Sequence, residues 1–221
     1  MSFLQKMNVP NKLTLLRIAL VPLVIAAILI QFPLHFFVAG LLFGAAAVTD
    51  AFDGKIARRD NLITDFGKFA DPLADKILVI SVLVCFTKLG LCGAVPLIII
   101  IFREFTVTSV RLVAAANGKV IAANMWGKVK TVCQIVAIVA IFVFMTAYDI
   151  ICVAVTGSFM PAGGLPMLTL LDPSVTAYSG ILTVFRVFNI IGQVLIWITA
   201  VITVISGVKY LADNKEVISD M

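Results

Sequence analysis

Long apolar runs recur along the chain, separated by short polar breaks. A helix needs about 20 mostly apolar residues to cross a bilayer. Stretches of that order lie at residues 13–30, 35–58, 68–87, 94–116, 126–148 and 181–210. Pro22 is expected to kink the first of them. QFPLH turns the chain into the second near His35, which continues past Thr49 into the polar end DAFDGKIARR. RDNLITDFG, TKLGLCG and NGK carry the breaker residues that separate the next runs. Residues 149–180 read as an extended external loop, because GSFMPAGGLP and LDPS interrupt apolar runs too short to span. Ahead of Pro10, FLQKMNV mixes apolar and polar positions and predicts a short helix lying in the membrane interface. The pattern predicts an all-α integral membrane protein with six transmembrane helices and one embedded domain over residues 1–221.

Composition removes the alternatives. Hydrophobic residues make up 62% of the chain and charged residues 13%, against about 45–50% and about 25% in a soluble domain. A disordered chain is equally excluded, since disorder requires few apolar residues. The net charge of +5 would suggest nucleic-acid binding in a soluble protein. In a membrane protein it reads as cytoplasmic loop bias and contact with anionic bilayer lipids, so no nucleic-acid partner is expected. Lys6, Lys12, Arg17, Lys55, Arg58, Arg59, Lys68, Lys119, Lys128, Lys130, Lys209 and Lys215 fall on one side of a six-span arrangement. His35, Lys88, Asp149, Asp172 and Arg186 fall on the other. The positive-inside rule then places both termini in the cytoplasm, and a multi-pass protein of the cytoplasmic (inner) membrane is expected. Cys85, Cys92, Cys133 and Cys152 form no CxxC pair and read as buried apolar residues. No cleavable leader is expected, because MSFLQKMNVPNKLTLLR is polar-mixed and no A-x-A-like site follows the first apolar run.

Acidic residues on membrane helices are costly and mark function by default. Asp50 and Asp53 are three positions apart, and Asp71 and Asp75 four, so each pair shares one face of its helix. A short loop makes the two helices antiparallel neighbours, and the four carboxylates can converge just below the cytoplasmic surface. Their mutual repulsion in a low dielectric calls for divalent cations, and hard oxygen ligands in this number suit Mg²⁺, Mn²⁺ or Ca²⁺, with two ions balancing four charges. Gly54 removes a side chain where a ligand could approach closely, and Arg58 lies about one turn further on, suited to a phosphate. The plainer alternative is a set of helix-end aspartates capping or pairing with Lys55, Arg58, Lys68 and Lys76. It accounts for any one of them better than for all four at these spacings. Asp60 and Asp65 belong to the polar connection and read as solvated or capping residues.

The string DAFDGKIARRDNLITDFGKFADPLAD resembles the signature of the CDP-alcohol phosphotransferases, D-x2-D-G-x2-A-R-x8-G-x3-D-x3-D, with every defining position filled. The resemblance implies a six-span membrane enzyme that displaces CMP from a CDP-linked donor with an alcohol. It implies that Asp50, Asp53, Asp71 and Asp75 hold the metals, with Asp71 and Asp75 catalytic and Asp75 the candidate base. It implies further that Gly54, Ala57, Arg58 and Gly67 shape the CDP site, that the cofactor is Mg²⁺ or Mn²⁺ as two ions, and that the chain is a homodimer.

The acceptor must be read elsewhere. Arg103 and Glu104 sit in the middle of the fourth apolar run, and Arg111 follows Arg103 by eight residues on nearly the same face. With Lys128 and Lys130 in WGKVKT they can form a basic pocket for an anionic acceptor, although the lysines also read as cytoplasmic anchors and Arg103 as the partner of Glu104 or of a motif carboxylate. NVPNKLTLLRIALVP, FREFTVTSVR and MWGKVKTVCQ resemble the bacterial-type phosphatidylglycerophosphate synthases of the family. That resemblance implies CDP-diacylglycerol as donor, sn-glycerol 3-phosphate as acceptor, and an active site facing the cytoplasm. Other members make cardiolipin, phosphatidylinositol phosphate or phosphatidylserine, and these remain alternatives. A metal-ion transporter is a rival of another class, but it should carry its acids near the bilayer midplane. A structural protein without activity would not be expected to keep all four aspartates.

Overall fold

The computed structural model describes residues 9–59, 65–116, 125–156 and 179–215. Among these residues every regular element is an α-helix: α1 Val9–Leu29, α2 His35–Arg59, α3 Asp65–Lys88, α4 Ala94–Ala116, α5 Met125–Thr156 and α6 Ser179–Asp213. Helices α1, α5 and α6 contain apolar runs long enough to cross a membrane, and the apolar part of α2 is shorter, His35–Thr49. Helices α2, α3 and α4 interrupt their apolar runs with the motif aspartates or with Arg103, Glu104 and Arg111.

The elements depart from the sequence expectation in informative places. Helix α1 begins at Val9, ahead of the expected Leu13. Pro10 lies within the first turn of the helix as described, where its missing N–H is not needed. The helix runs on through Pro22 to Leu29. The predicted interfacial helix falls almost wholly outside the described residues. Helix α5 continues to Thr156, which corrects the external loop expected from residue 149. No Gly or Pro interrupts DIICVAVT before Gly157, so nothing stops the helix at Tyr148. Asp149, expected in that loop, is instead fully buried in α5. The rest of the expected loop, 157–178, lies outside the described residues.

The chain divides into two units. The first comprises Met1–Cys85 and Met145–Thr176, the second Phe86–Phe144 and Ala177–Met221. In the first, α1 packs on α2. Val21, Val24 and Ile28 of α1 and Phe36, Ala39, Phe43 and Ala46 of α2 are buried at three- and four-residue spacing, the stripe of a helix with one packed face. Ala39 and Ala46 are small enough to let neighbouring backbones close up.

In the second unit α4 packs on α6. Helix α6 buries Ile196, Thr199, Ala200, Thr203, Ser206 and Tyr210 along one face. The turn from α3 to α4 closes at Gly90, whose φ of +72° is the left-handed cap that glycine adopts without strain. Asn189 Nδ2 and Gln193 Nε2 of α6 both donate to the Gly90 carbonyl, at 3.2 and 3.3 Å. The outward faces of both units are apolar: Leu23, Ile98, Phe102, Val143 and Val208 are all exposed. Such faces on every helix fit a lipid surround and not water.

Candidate functional site

The acidic motif occupies the end of α2 and the start of α3. Asp50, Asp53, Gly54, Ala57 and Arg58 lie on helical backbone of α2, and Gly67, Asp71 and Asp75 on that of α3. The helical rise sets Asp50 and Asp53 about 4.5 Å apart along the axis and Asp71 and Asp75 about 6 Å apart. Each pair therefore spans roughly one turn, as expected from the spacing. The side chains of these eight residues, and residues 60–64 of the connection, lie outside the described residues.

The basic residues belong to the second unit, where side-chain contacts define a cluster. Glu104 is its hub. Its Oε1 accepts from Arg103 Nη1 at 3.0 Å and from Lys130 Nζ at 2.5 Å. The Lys130 side chain is 4% exposed and that of Glu104 17%, so this is a nearly dry ion-pair network in which one carboxylate serves two cations. Arg103 also donates through Nη2 to Ser206 Oγ at 2.8 Å. Its Nε is buried and has no hydrogen-bond partner among the described residues.

Eight residues on, Arg111 donates through Nε to the Tyr210 hydroxyl at 3.2 Å. Its guanidinium carbon lies 5.3 Å from the Tyr210 ring centroid, within cation–π range. Lys128 is exposed. Lys209 sits 5.5 Å from the Trp126 ring centroid, an aromatic–cation pairing typical of membrane interfaces. Gly207 lets α6 approach Arg103, because a Cβ there would meet Arg103 Cγ at 3.0 Å.

Arg103 and Lys130 thus meet on Glu104, the anticipated Arg103–Glu104 pair is present, and Arg111 forms a separate pair with Tyr210. Three features were not foreseen: the Lys130–Glu104 bond, and the roles of Ser206 and Tyr210. The only sequence signal for the last two is a polar residue at each turn of α6, Thr199, Thr203 and Ser206, leading to Tyr210. Asp149 is a further unforeseen feature of the first unit. Both its carboxylate oxygens are buried without a hydrogen-bond partner among the described residues.

Comparison with known proteins places this geometry in context. The profile of the family described as CDP-alcohol phosphatidyltransferase matches residues 7–161. A Bacillus subtilis (strain 168) protein named CDP-diacylglycerol–glycerol-3-phosphate 3-phosphatidyltransferase is 43% identical over 156 residues, covering 65% of this chain and 81% of its own length. A Rickettsia bellii protein of the same name is 32% identical over 209 residues, 95% of this chain and 96% of its own. A Salmonella choleraesuis protein, again of that name, is 39% identical over 135 residues, 59% of this chain and 74% of its own.

Proposed function

The chain belongs to the CDP-alcohol phosphatidyltransferase family, and from that membership we propose how its residues divide the work of the reaction. The protein is a phosphatidylglycerophosphate synthase: it transfers a phosphatidyl group from CDP-diacylglycerol to glycerol 3-phosphate, releasing CMP. The observation that carries this reading is the likeness to the Rickettsia enzyme, which extends over nearly the whole of both chains. It is a multi-pass membrane protein. Six spans, both termini in the cytoplasm, insertion in the inner membrane and assembly as a homodimer complete the proposal.

Asp50, Asp53, Asp71 and Asp75 are the ligands proposed for two Mg²⁺ or Mn²⁺ ions. Hard carboxylate oxygens, paired at one-turn spacing on two successive helices, are the donor set such ions take. When bound, the ions would offset the pyrophosphate charge and stabilise the CMP leaving group. Gly54, Ala57 and Gly67 leave room for the CDP moiety, and Arg58 meets its phosphates with a planar fork of donors. Asp75 takes the proton from the acceptor hydroxyl as that oxygen attacks the phosphatidyl phosphorus, and Asp71 assists. Arg103, Arg111, Lys128 and Lys130 supply the charge that binds the acceptor phosphate. Arg111 and Lys128 contribute most, since Arg103 and Lys130 already share Glu104.

Incubating the purified protein with CDP-diacylglycerol and identifying products by mass tests the reading. Phosphatidylglycerophosphate should form only when glycerol 3-phosphate and Mg²⁺ are both present. Phosphatidylserine made from serine, or cardiolipin made from phosphatidylglycerol, would overturn the acceptor assignment. Undiminished turnover in EDTA would overturn the metal assignment and leave the acceptor intact.

A further inference from the structure

The last helix lies beyond the stretch matched by the family profile, which ends at residue 161. Yet α6 supplies the hydroxyl groups that hold both arginines of α4. The Cα atoms of Arg103 and Arg111 are eight residues apart, a rise of about 12 Å along α4. Their partners Ser206 and Tyr210 are four residues apart, a rise of about 6 Å along α6. Two side chains that start more than two turns apart are therefore tied to points one turn apart. Helical side chains lean toward the N-terminus, so the long Tyr210 side chain reaches back toward the level of Ser206 and narrows the gap further.

The manner of attachment is as telling as the spacing. Arg111 is held through Nε, so its two Nη nitrogens remain outside that bond, and these form the planar edge that matches a phosphate. The Tyr210 ring under the guanidinium restricts the plane in which that edge can turn. Arg103 is fixed by Glu104 on Nη1 and Ser206 on Nη2. Gly207, one residue beyond Ser206, allows α6 to lie against the Arg103 stem. Ser206 and Tyr210 are themselves buried at 1% and 2% exposure, so neither hydroxyl is a casual surface contact.

We propose that Ser206 and Tyr210 are positioning residues that converge the Arg103 and Arg111 guanidinium groups on one acceptor phosphate. The inference rests on the acceptor-site reading above and adds to it the element that orients the charges. Neither hydroxyl touches substrate. Their effect passes through the arginines and belongs to acceptor binding rather than to donor binding or to the chemical step.

The test uses the full-length enzyme in lipid–detergent micelles, with KM measured separately for glycerol 3-phosphate and CDP-diacylglycerol. Tyr210→Phe keeps the ring and removes only the hydroxyl. It should raise the glycerol 3-phosphate KM about threefold to tenfold, the scale of one ordinary hydrogen bond, because the lost bond acts through the arginine and not on the substrate. The CDP-diacylglycerol KM and the Tm should not move. Ser206→Ala should act in the same direction and carries the test if the Tyr210 variant is unstable. In an Arg111→Ala background, Tyr210→Phe should add nothing further, because its partner is already gone. If Arg111→Ala raises the acceptor KM while Tyr210→Phe and Ser206→Ala do not, the positioning role is wrong and the acceptor site stands. A full independent effect of Tyr210→Phe on top of Arg111→Ala has the same consequence. If Arg111→Ala leaves the acceptor KM unchanged, the acceptor site itself is misassigned and the positioning role falls with it.

Discussion

The acid-bearing helices α2 and α3 and the basic cluster of α4, α5 and α6 solve opposite electrostatic problems. The first gathers four like charges within a single short stretch of chain, Asp50 to Asp75, with Arg58 and a few lysines as the cations of the same stretch. The second mixes signs. Glu104 takes a bond from each of two cations, and hydroxyl groups take bonds from the two arginines. A region whose charge is left for a ligand to neutralise should fail when the ligand is withdrawn. A region that pairs part of its charge internally and keeps a positive excess should fail through loss of fold or of affinity. The two regions should therefore differ in which kinetic constant a substitution moves.

The largest effect is expected for Asp53→Asn in the first region. It removes a formal charge from the proposed metal set while keeping the shape of the side chain. Turnover should fall at least about a hundredfold, the scale for losing one pre-organised group that stabilises developing charge. Raising glycerol 3-phosphate should not restore it. Arg111→Ala in the second region should behave in the complementary way. Its acceptor KM should rise about tenfold to a hundredfold, corresponding to about 1.5–3 kcal/mol for a charge-assisted bond, with rate recovered at saturating acceptor. Steady-state kinetics on both variants would break the comparison if Arg111→Ala proved uncorrectable by substrate, or if Asp53→Asn kept its turnover.

Glu104→Gln probes the internal pairing of the second region directly. Lys130 is nearly inaccessible and donates to the Glu104 carboxylate. Removing one member of a buried pair strands the other, at a cost of about 3–5 kcal/mol. The 17% exposure of the Glu104 side chain lets water reach the network and sets the expectation at about 3 kcal/mol, the lower end of that range. Thermal unfolding in detergent should show it as a lowered Tm. An unchanged Tm would mean that Lys130 finds another anion and that Glu104 is not the hub.

The two regions were also unequally legible. The acidic motif is local, since its two aspartate pairs each sit about one turn apart on successive helices. Periodicity alone exposes that arrangement. The bonds of the basic cluster join Glu104 to Lys130, Arg103 to Ser206 and Arg111 to Tyr210, over separations of 26, 103 and 99 residues. No local pattern encodes which face of α6 meets α4. Sequence reasoning therefore found the arginines, which are conspicuous in an apolar run, and missed the serine and tyrosine, which are ordinary there. Helix existence was readable from hydropathy for the same local reason. The breakers of GSFMPAGGLP and LDPS predict a loop from residue 149, whereas the first of them is Gly157 and the uninterrupted run before it keeps α5 going to Thr156.

The smallest expected effect is also the most discriminating for the second region. Gly207→Ala adds a methyl group 3.0 Å from Arg103 Cγ, so the arginine stem must shift by a few tenths of an ångström. Alanine in a helix interior is favoured over glycine by about 1 kcal/mol, and mild overpacking against a flexible stem costs about as much. The two terms oppose, and the Tm should stay almost unchanged. The displaced guanidinium should nevertheless raise the glycerol 3-phosphate KM about twofold to threefold, a fraction of the effect of losing a whole bond. Gly192→Ala is the matched control, since its methyl group would meet Ile141 Cγ1 at 3.1 Å, an equally tight contact with an apolar side chain in place of an arginine. It should leave both KM values alone. If the two alanine variants prove indistinguishable in acceptor KM, the placement of Arg103 by α6 has no bearing on acceptor binding.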